Sequence, residues 1–317
     1  MKQTGDSAHL GTGAGLFAIV LWSGTFAIAR SVSEQVGAVA AGAAVYLIGS
    51  LFCAVRLGWT RVSLAELRRL ARPPVFCCGL LFVSYTTLIY LAVGLARSRE
   101  QLLEIALVNY LWPSATVLLS LPILKQRARP FLWLGTTLAL AGVFLAMTQG
   151  TQVSWLAFRD HFCATPGAYL LTLVAALCWA LYSNLTRRWS KPGDEAAVLL
   201  FIPITGVVLL ALSLLGSGMG QWLPKTLGEA IALGAITALS YALWDLAMRK
   251  GHLLLVTSCS YFTPLLSTLV SCAYLQVLPN PKLWLGSALI VAGSWVTWRS
   301  ILPARPPLEP EKDLPPA

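Results

Sequence analysis

The stretch Leu132-Trp133-Leu134-Gly135, followed after five residues by Ala141-Gly142, occurs twice in this chain. Its second copy, Leu283-Trp284-Leu285-Gly286 with Ala292-Gly293 at the same spacing, begins 151 positions later. Apolar segments often resemble one another by chance, but a match that keeps tryptophan and glycine in register indicates an internal duplication. We therefore expect a fold made of two related halves.

A second match at the same offset supports the duplication. The segment Asn109-Tyr110-Leu111-Trp112-Pro113 corresponds to Ser260-Tyr261-Phe262-Thr263-Pro264, again 151 positions later. Small insertions explain the drift in two looser matches, which are Ser84-Tyr85 with Ser240-Tyr241 at an offset of 156 and Trp22 with Trp179 at 157.

The composition places both halves in a membrane. Of 317 residues, 57% are apolar and 11% are charged, whereas a soluble domain has roughly 25% charged residues. The hydrophobicity excludes a disordered chain, the absence of a glycine period excludes collagen, and seven cysteines are too few for a disulfide-stapled fold. We expect free thiols and an integral membrane protein with lipid as its main solvent.

The chain contains ten apolar stretches, each near the length of about 20 residues that a helix needs to cross the hydrocarbon core. These stretches are continuous rather than alternating, so they predict helices and not barrel strands. They are Gly11–Ser31, Val36–Leu57, Pro74–Ala96, Ser98–Leu124, Phe131–Gln149, Pro166–Arg187, Ala196–Gly216, Thr226–Arg249, Leu253–Leu278 and Lys282–Ile301.

Basic residues in the connecting segments predict the orientation. With ten spans, 17 lysines and arginines fall on one side of the membrane and 6 on the other. Because basic loops stay in the cytoplasm, both chain ends are predicted to be cytoplasmic. The basic residues are scattered over short segments, which argues against a nucleic-acid partner.

Five spans in each half give an inverted repeat, because an odd number makes the second half enter the membrane from the opposite face. We predict an all-α integral membrane fold with a 5+5 inverted-topology repeat around a central cavity. That arrangement is typical of transporters, which bind their substrate near the midplane. The predicted segments are a cytoplasmic N-terminus at 1–10, repeats at 11–149 and 166–301, an external linker at 150–165 and a disordered cytoplasmic tail at 302–317.

Aromatic and polar residues concentrate about 10–13 residues into the spans, near the bilayer centre. Membrane tryptophan and tyrosine prefer the interfaces, and buried indole and phenol groups need hydrogen-bond partners. The set therefore predicts a cavity lining, although helix packing explains any single member equally well. Its members are Trp22, Tyr85, Asn109, Tyr110, Trp112, Trp179, Tyr182 and Tyr261. Two pairs with helical spacing, Ser240 with Trp244 and Tyr241 with Asp245, extend the predicted lining.

Two prolines occupy matching positions inside the fourth and ninth spans. Pro113 and Pro264 each remove a backbone donor and are expected to kink their helices. The freed carbonyls would belong to Asn109 and Ser260, and either a ligand or a neighbouring helix would use them. A purely structural kink is the equal alternative.

Two of the four carboxylates within the predicted spans, Glu104 and Asp245, have a predicted role. Glu104 is a candidate for contact with substrate or a proton, the alternative being a pair with Arg97 or Arg99. Asp245 precedes Arg249 by four residues, which predicts an ion pair on one helix face. His161 and the other histidines lie at loops without metal-ligand spacing, so we expect no metal or cofactor.

The motifs resemble those of a known family. The paired Trp-Leu-Gly…Ala-Gly helices are similar to the drug/metabolite transporter superfamily of the EamA type. Three segments resemble its aromatic amino acid exporter branch: Leu21-Trp22-Ser23-Gly24-Thr25-Phe26-Ala27, Asn109-Tyr110-Leu111-Trp112-Pro113 and Tyr241-Ala242-Leu243-Trp244-Asp245.

The resemblance implies a basket-shaped bundle in a bacterial inner membrane that exports phenylalanine, tyrosine, tryptophan and similar solutes. It implies that the midplane set lines the cavity, with Glu104 or aromatic faces meeting the substrate ammonium. Tyrosine hydroxyls or Asn109 would then meet the carboxylate.

Two other functions remain open. A transporter of this fold for another metabolite or a drug fits the same architecture. A polytopic enzyme fits less well, because the sequence has no His-Glu zinc motif, serine elbow or acidic metal cluster. The expected partners are a small-molecule substrate and the lipid bilayer, with no obligate protein partner.

Overall fold

A computed structural model describes residues 2–60, 72–148, 155–191, 197–216, 220–275 and 281–302. Within these ranges the chain is helical except for one pair of two-residue strands, β1 (Arg127–Ala128) and β2 (Ile301–Leu302), which run antiparallel. The helices are α1 Lys2–Val36, α2 Ala38–Thr60, α3 Pro73–Leu95, α4 Arg99–Asn109, α5 Trp112–Ile123, α6 Phe131–Met147, α7 Trp155–Ala164, α8 Pro166–Trp189, α9 Ala197–Leu215, α10 Pro224–Lys250, α11 Leu253–Cys259, α12 Phe262–Leu275 and α13 Pro281–Ser300.

The described helices are long and apolar enough for a membrane protein. Six spans meet that test, and eight do if each of two bent pairs counts as one span. One pair lies within α1, which bends by 46°, and the other is α11 with α12, at 40°. The prediction of an all-helical membrane fold is confirmed, while the number ten stays a prediction.

Two boundaries differ from the sequence prediction. Helix α1 begins at Lys2 rather than after residue 10 and continues to Val36, where Gly37 separates it from α2. Gly37 has a φ of +85°, a conformation that glycine adopts at no steric cost, so one residue suffices for the break. Helix α7 lies within the predicted linker 150–165, and the predicted tail lies outside the described residues from 303 onward.

The strongest packing joins helices of the first half to helices of the second. Helix α1 packs on α10, α3 on α8, α2 on α9 and α6 on α13. Secondary contacts join α5 to α8 and α12 to α1. Most described helices therefore have their main neighbour in the other half, and the core lies between the halves.

The duplicated glycines hold α6 and α13 together. A Cβ on Gly142 would lie 2.6 Å from the carbonyl oxygen of Gly286, and one on Gly135 would lie 3.0 Å from that of Gly293. The earlier glycine of each helix meets the later glycine of the other, so the two helices are antiparallel. Glycine allows this backbone approach because a side chain would occupy the same space.

We expect Gly142→Ala to destabilise the protein by about 1–3 kcal/mol, because the new methyl group must displace backbone atoms in a packed interface. Thermal unfolding in detergent measures the loss. Gly228→Ala on α10 is the control, since a Cβ there meets nothing within 4 Å and alanine favours a helix. Equal stability of the two variants would contradict the close approach.

Candidate functional site

A cavity of about 560 Å³ lies among α1, α2, α3, α4 and α10, within the usual range of roughly 300–1,000 Å³ for small-molecule sites. It is bounded by the C-terminal halves of α1 and α3, the N-terminal half of α2, helix α4 and the middle of α10. These five segments meet at one end of the bundle, so the cavity belongs to that end. Its aromatic and polar lining residues are Trp22, Thr25, Arg30, Ser33, Glu34, Tyr46, Tyr85, Thr86, Tyr90, Asn109, Tyr110, Thr237 and Tyr241.

The inner end of the cavity is closed by a group of packed rings, here called the aromatic layer, which consists of Trp22, Trp112, Trp179 and Trp244. The ring of Trp22, which lines the cavity, lies 6.0 Å from that of Trp179 and 5.1 Å from that of Trp244. Trp179 also contacts Tyr85 at 4.7 Å, while Trp112 stands edge-on to Trp244 at 5.4 Å. Trp179 and Trp244 are almost fully buried, so this layer separates the cavity from the other end of the bundle.

A chain of hydroxyl groups reaches the cavity wall. The Tyr46 hydroxyl donates to the Tyr241 oxygen at 2.8 Å and lies 3.2 Å from the Thr86 hydroxyl. Because the one proton of Tyr46 goes to Tyr241, Thr86 is the donor in the second bond. The chain therefore ends on the hydroxyl of Tyr241, whose own proton can be donated into the cavity.

Asn109 and its neighbours supply the remaining polar atoms at midplane depth. Asn109 lines the cavity together with Tyr85. Its Oδ1 is buried and has no hydrogen-bond partner among the described residues. A buried acceptor without a hydrogen bond costs free energy. Asn109 is therefore a candidate for contact with a ligand when the cavity changes shape.

At the mouth of the cavity, Arg30 and Glu34 form an ion pair of 2.8 Å between Nε and Oε1, with both side chains about half exposed. Arg30 and Glu34 are the two charged side chains among the described residues that line the cavity. The deeper wall is neutral, so a solute that enters leaves charged groups behind at the entrance.

The opposite end of the bundle is closed by polar contacts. Arg249 Nε lies 2.6 Å from Asp245 Oδ2, and the Tyr182 hydroxyl donates to Asp245 Oδ1 at 3.1 Å. Arg187 donates to the carbonyls of Arg249 at 2.8 Å and Gly251 at 3.0 Å. The ion pair predicted from the spacing of Asp245 and Arg249 is thus present within α10. The contacts of Tyr182 and Arg187 join α8 to α10 beneath the aromatic layer.

The structure divides the predicted site residues into three groups. Those that line the cavity are Trp22, Tyr85, Asn109, Tyr110 and Tyr241. Those in or next to the aromatic layer are Trp112, Trp179 and Tyr182. Those that lie elsewhere are Glu104, Ser240 and Tyr261, none of which belongs to the cavity wall.

The last three residues are occupied by other contacts. Buried Ser240 donates to the carbonyl of Ile236 at 2.7 Å. The hydroxyl of Tyr261 shares a hydrogen bond with that of Ser114 in a core cluster against α6 and α13. Glu104 is turned away because α4 presents neighbouring residues to the cavity, and its carboxylate meets α7 and α8 instead.

Both helices that contain a matched proline are broken just before it. Helix α4 ends at Asn109 and α11 ends at Cys259, each followed by a new helix after two residues. The carbonyl of Ser260 accepts from the Thr263 N–H at 3.0 Å. It is therefore not the free acceptor that the sequence suggested, because the break replaces the lost bond with a tighter turn.

Sequence reasoning missed several residues at this site. Tyr46 is the ninth residue of α2, close to the depth of about 10–13 residues at which the other tyrosines were selected. The same criterion, applied to every span, would have included it. Thr86 follows Tyr85 directly and lies at the same depth, while Tyr90 shares a face of α3 with Thr86 by its spacing of four residues. Trp244 was noted only as a neighbour of Ser240, although its ring is central to the aromatic layer.

The described residues contain no group of three or more His, Cys, Asp or Glu side chains that could hold a metal ion. The chemistry of the site therefore rests on aromatic faces, hydroxyls and one amide. These groups suit reversible binding of an organic solute.

Comparisons with known proteins agree with a membrane transporter made of two related halves. Residues 9–148 and 166–299 match the EamA-like transporter family. The chain is 29% identical to the aromatic amino acid exporter YddG of Escherichia coli (strain K12), over 90% of this chain and 95% of that protein. It is likewise 29% identical to YddG of Ancylobacter novellus, over 89% and 94%.

A solved structure, titled only as a crystal structure of a protein, superposes with a TM-score of 0.77 at 27% identity, covering 92% of this chain and 97% of that one. The two family matches correspond to the two halves recognised from the repeated Leu-Trp-Leu-Gly motif. The chain is a multi-pass membrane protein that belongs to the EamA-like transporter family.

Proposed function

We propose that this protein exports aromatic amino acids across a bacterial inner membrane by alternating access. The observation that carries the proposal is a neutral, aromatic-walled cavity that is open at one end of the bundle and closed at the other by the Trp179 layer. Such a cavity holds a flat ring and releases it to one side only.

The proposed topology is ten spans in two inverted halves, with α4–α5 and α11–α12 each forming one broken span. If each helix is replaced by its equivalent in the other half, the α1–α10 contact becomes the α8–α3 contact. The α2–α9 and α6–α13 contacts are unchanged by this replacement, because each joins two equivalent helices. Both pairings occur, and the antiparallel glycine contacts of α6 and α13 agree with the same two-fold relation. Exchange of conformation between equivalent halves is the basis of alternating access.

The basic residues indicate the side of the membrane to which the cavity opens in this state. The end of the bundle closed by Asp245 and Arg249 is the one that the distribution of lysine and arginine assigns to the cytoplasm. The cavity then faces the outside, and the conformation is outward-open. Both chain ends lie in the cytoplasm in this scheme.

An aromatic amino acid fits the cavity in one orientation. Its ring packs on Trp22 and Tyr85, and its carboxylate accepts a hydrogen bond from Tyr241 at the end of the hydroxyl chain. Hydrogen bonds in such a chain polarise one another, which strengthens the terminal donor. The ammonium group meets aromatic faces, a contact of about 1–2 kcal/mol when desolvated, because Glu104 lies outside the cavity.

A panel of radiolabelled solutes in proteoliposomes tests the function. We expect tryptophan and phenylalanine to be transported, and threonine and an uncharged drug to be transported poorly. If the drug moved and tryptophan did not, the alternative of a different solute for the same fold would replace the proposal. A chemically altered product would instead indicate an enzyme.

We expect Tyr241→Phe to raise the KM for tryptophan about tenfold, since a hydrogen bond to a charged group contributes about 1.5–3 kcal/mol. Transport of tryptamine, which lacks the carboxylate, should not change. Tyr90→Phe is the matched control because Tyr90 lines the same cavity. Equal effects of Tyr241→Phe on tryptophan and tryptamine would show that the hydroxyl does not bind the carboxylate.

A further inference from the structure

Glu104 is a buried carboxylate that the cavity does not use. It lies in the span Glu100–Ile123, and its side chain is 1% exposed. An ionisable group inside a membrane segment is expensive and is retained mainly where it has a partner or a task. The proposed route of the solute gives it no task, so its surroundings need their own explanation.

Two titratable side chains from other helices converge on this carboxylate. Nδ1 of His161, on α7, lies 3.1 Å from Oε1 and 3.2 Å from Oε2 of Glu104. The hydroxyl of Tyr169, on α8, donates to Oε2. Both oxygens of the carboxylate are thereby occupied, and the contacts tie α4 to α7 and α8.

A short second layer fixes the histidine. Thr165 accepts a hydrogen bond from the Gln101 side chain and donates to the carbonyl of His161 at 3.2 Å. Gln101 in turn accepts from the backbone N–H of Arg97. These bonds join the start of α4 to the end of α7, so the backbone of His161 is held close to the helix that carries Glu104.

His161 connects the buried carboxylate to water. Its side chain is 30% exposed, against 1% for Glu104, and it lies at the end of the bundle where the cavity opens. On the surrounding elements, the ionisable groups towards the same end of the bundle include exposed Arg97 beyond α3, Glu100 on α4, and the Arg159–Asp160 ion pair and exposed Cys163 on α7. Arg187 and Arg188 lie at the far end of α8. Helix α6 carries no ionisable side chain, and that of Arg99 lies outside the described residues.

The cluster is placed to act on the cavity through its helices. Leu103 and Ile105, the neighbours of Glu104 on α4, line the cavity. Tyr169 shares α8 with Trp179 of the aromatic layer and with Tyr182 of the cytoplasmic closure. A change in the bond between α4 and α8 therefore reaches both the cavity wall and its floor.

We propose that Glu104 is the proton-binding site of a solute/proton antiport, with His161 as its route to the external solution. The inference rests on the proposed function for the identity of the solute and adds the coupling ion. It assigns to the Glu104, His161 and Tyr169 cluster a role separate from solute binding.

The proton follows a closed path. In the outward-open state the solute leaves, and a proton passes from the external solution through the imidazole to the Glu104 carboxylate. The neutral carboxylic acid no longer attracts the imidazolium, so α4 separates from α7 and α8 and the outer end closes. In the inward-open state the proton leaves to the cytoplasm and the next solute binds, so a proton enters as a solute leaves.

Proteoliposomes loaded with tryptophan and a pH-sensitive dye test the coupling. We expect an acidic external buffer to accelerate efflux from the wild-type protein about fivefold or more, within the usual range of coupling, and efflux to acidify the interior. Glu104→Gln, which resembles the protonated acid, should lose both responses. It should keep tryptophan exchange at equal pH, because exchange needs no change in proton occupancy.

Two further variants sharpen the result. Asp160→Asn, at the exposed neighbour of His161, should respond as the wild type does. His161→Asn should slow the proton-driven efflux without abolishing exchange, and it remains informative if Glu104→Gln fails to fold. A full response to the gradient in both Glu104→Gln and His161→Asn would overturn the proposal.

The failure of the antiport can be told from failure of the proposed function. Tryptophan transport that ignores the pH gradient in the wild type would refute the antiport and leave the exporter intact. No tryptophan transport under any condition would refute the exporter. In that case, infrared difference spectra between acidic and neutral buffers still test the proton site. A protonated carboxyl band that is absent in Glu104→Gln supports the site, and no such band in the wild type refutes it.

Discussion

Asp245→Asn should remove most of the folded protein. The change removes the carboxylate charge that lies 2.6 Å from the Arg249 guanidinium, whose side chain is 6% exposed. Breaking a buried ion pair from one side costs about 3–5 kcal/mol, a large part of the stability of an ordinary domain. Thermal unfolding in detergent and the amount of protein in the membrane measure the loss.

The chain offers a matched control at the other end of the bundle. Arg30 and Glu34 also form a pair four residues apart, with a similar distance of 2.8 Å, but both side chains are about half exposed. Exposed pairs contribute about 0–1 kcal/mol, so Glu34→Gln should leave stability nearly unchanged. Comparable losses in Glu34→Gln and Asp245→Asn would show that burial does not set the cost.

A double variant separates stability from gating. Asp245→Asn with Arg249→Met removes both charges and should recover much of the lost stability, because no unpaired ion remains. The contact between Tyr182 and the Asp245 carboxylate is weakened in this variant, so the end of the bundle that these residues close should open more readily. We expect the proton gradient to drive less tryptophan accumulation than in the wild type at equal protein abundance.

The sequence could predict two kinds of feature: contacts between residues close together in one helix, and structure shared by the two repeated segments. The spacing of Asp245 and Arg249 places them on one helix face whatever the tertiary fold, and their ion pair is present. The repeated Leu-Trp-Leu-Gly motif placed small residues at equivalent positions of α6 and α13, where the backbones approach closely. Both inferences needed only helical periodicity and the repeat.

The partner of Glu104 could not be predicted in the same way. His161 lies 57 positions further along the chain, on a short helix within a segment that the sequence assigned to a linker. Lacking an apolar pattern or metal-ligand spacing, that segment gave no reason to expect a contact. The pairing depends on how α7 folds back over α4 and α8, which is a property of the packed bundle.

The depth of a residue could be predicted, but the direction of its side chain could not. Trp22 and Trp179 lie near the middle of their helices, and Trp112 begins α5 near the middle of the span Glu100–Ile123. Trp22 reaches the cavity, whereas Trp112 and Trp179 lie beneath it, because the rotation of each helix is set by its neighbours. Periodicity within a helix identifies a shared face but not the element which that face meets.

Trp179→Ala should abolish most tryptophan transport, because this ring supports the floor of the cavity. It lies between Tyr85 at 4.7 Å and Tyr182 at 5.3 Å, and so connects the cavity to the closed end of the bundle. Truncating a buried tryptophan costs about 3–5 kcal/mol and leaves a void that joins the two ends of the bundle. Uptake of tryptophan at equal membrane abundance should fall by more than about tenfold.

Trp298→Ala tests whether that loss is specific. Trp298 lies on α13, 37% exposed, and packs against Trp295 and the Arg299 guanidinium away from the cavity. Its removal should leave uptake close to that of the wild type, and Trp179→Phe should retain more activity than Trp179→Ala because a ring still covers the floor. Parallel losses of stability and uptake in all three variants would indicate that Trp179 acts through folding alone, and the aromatic layer would then not be the barrier that alternating access requires.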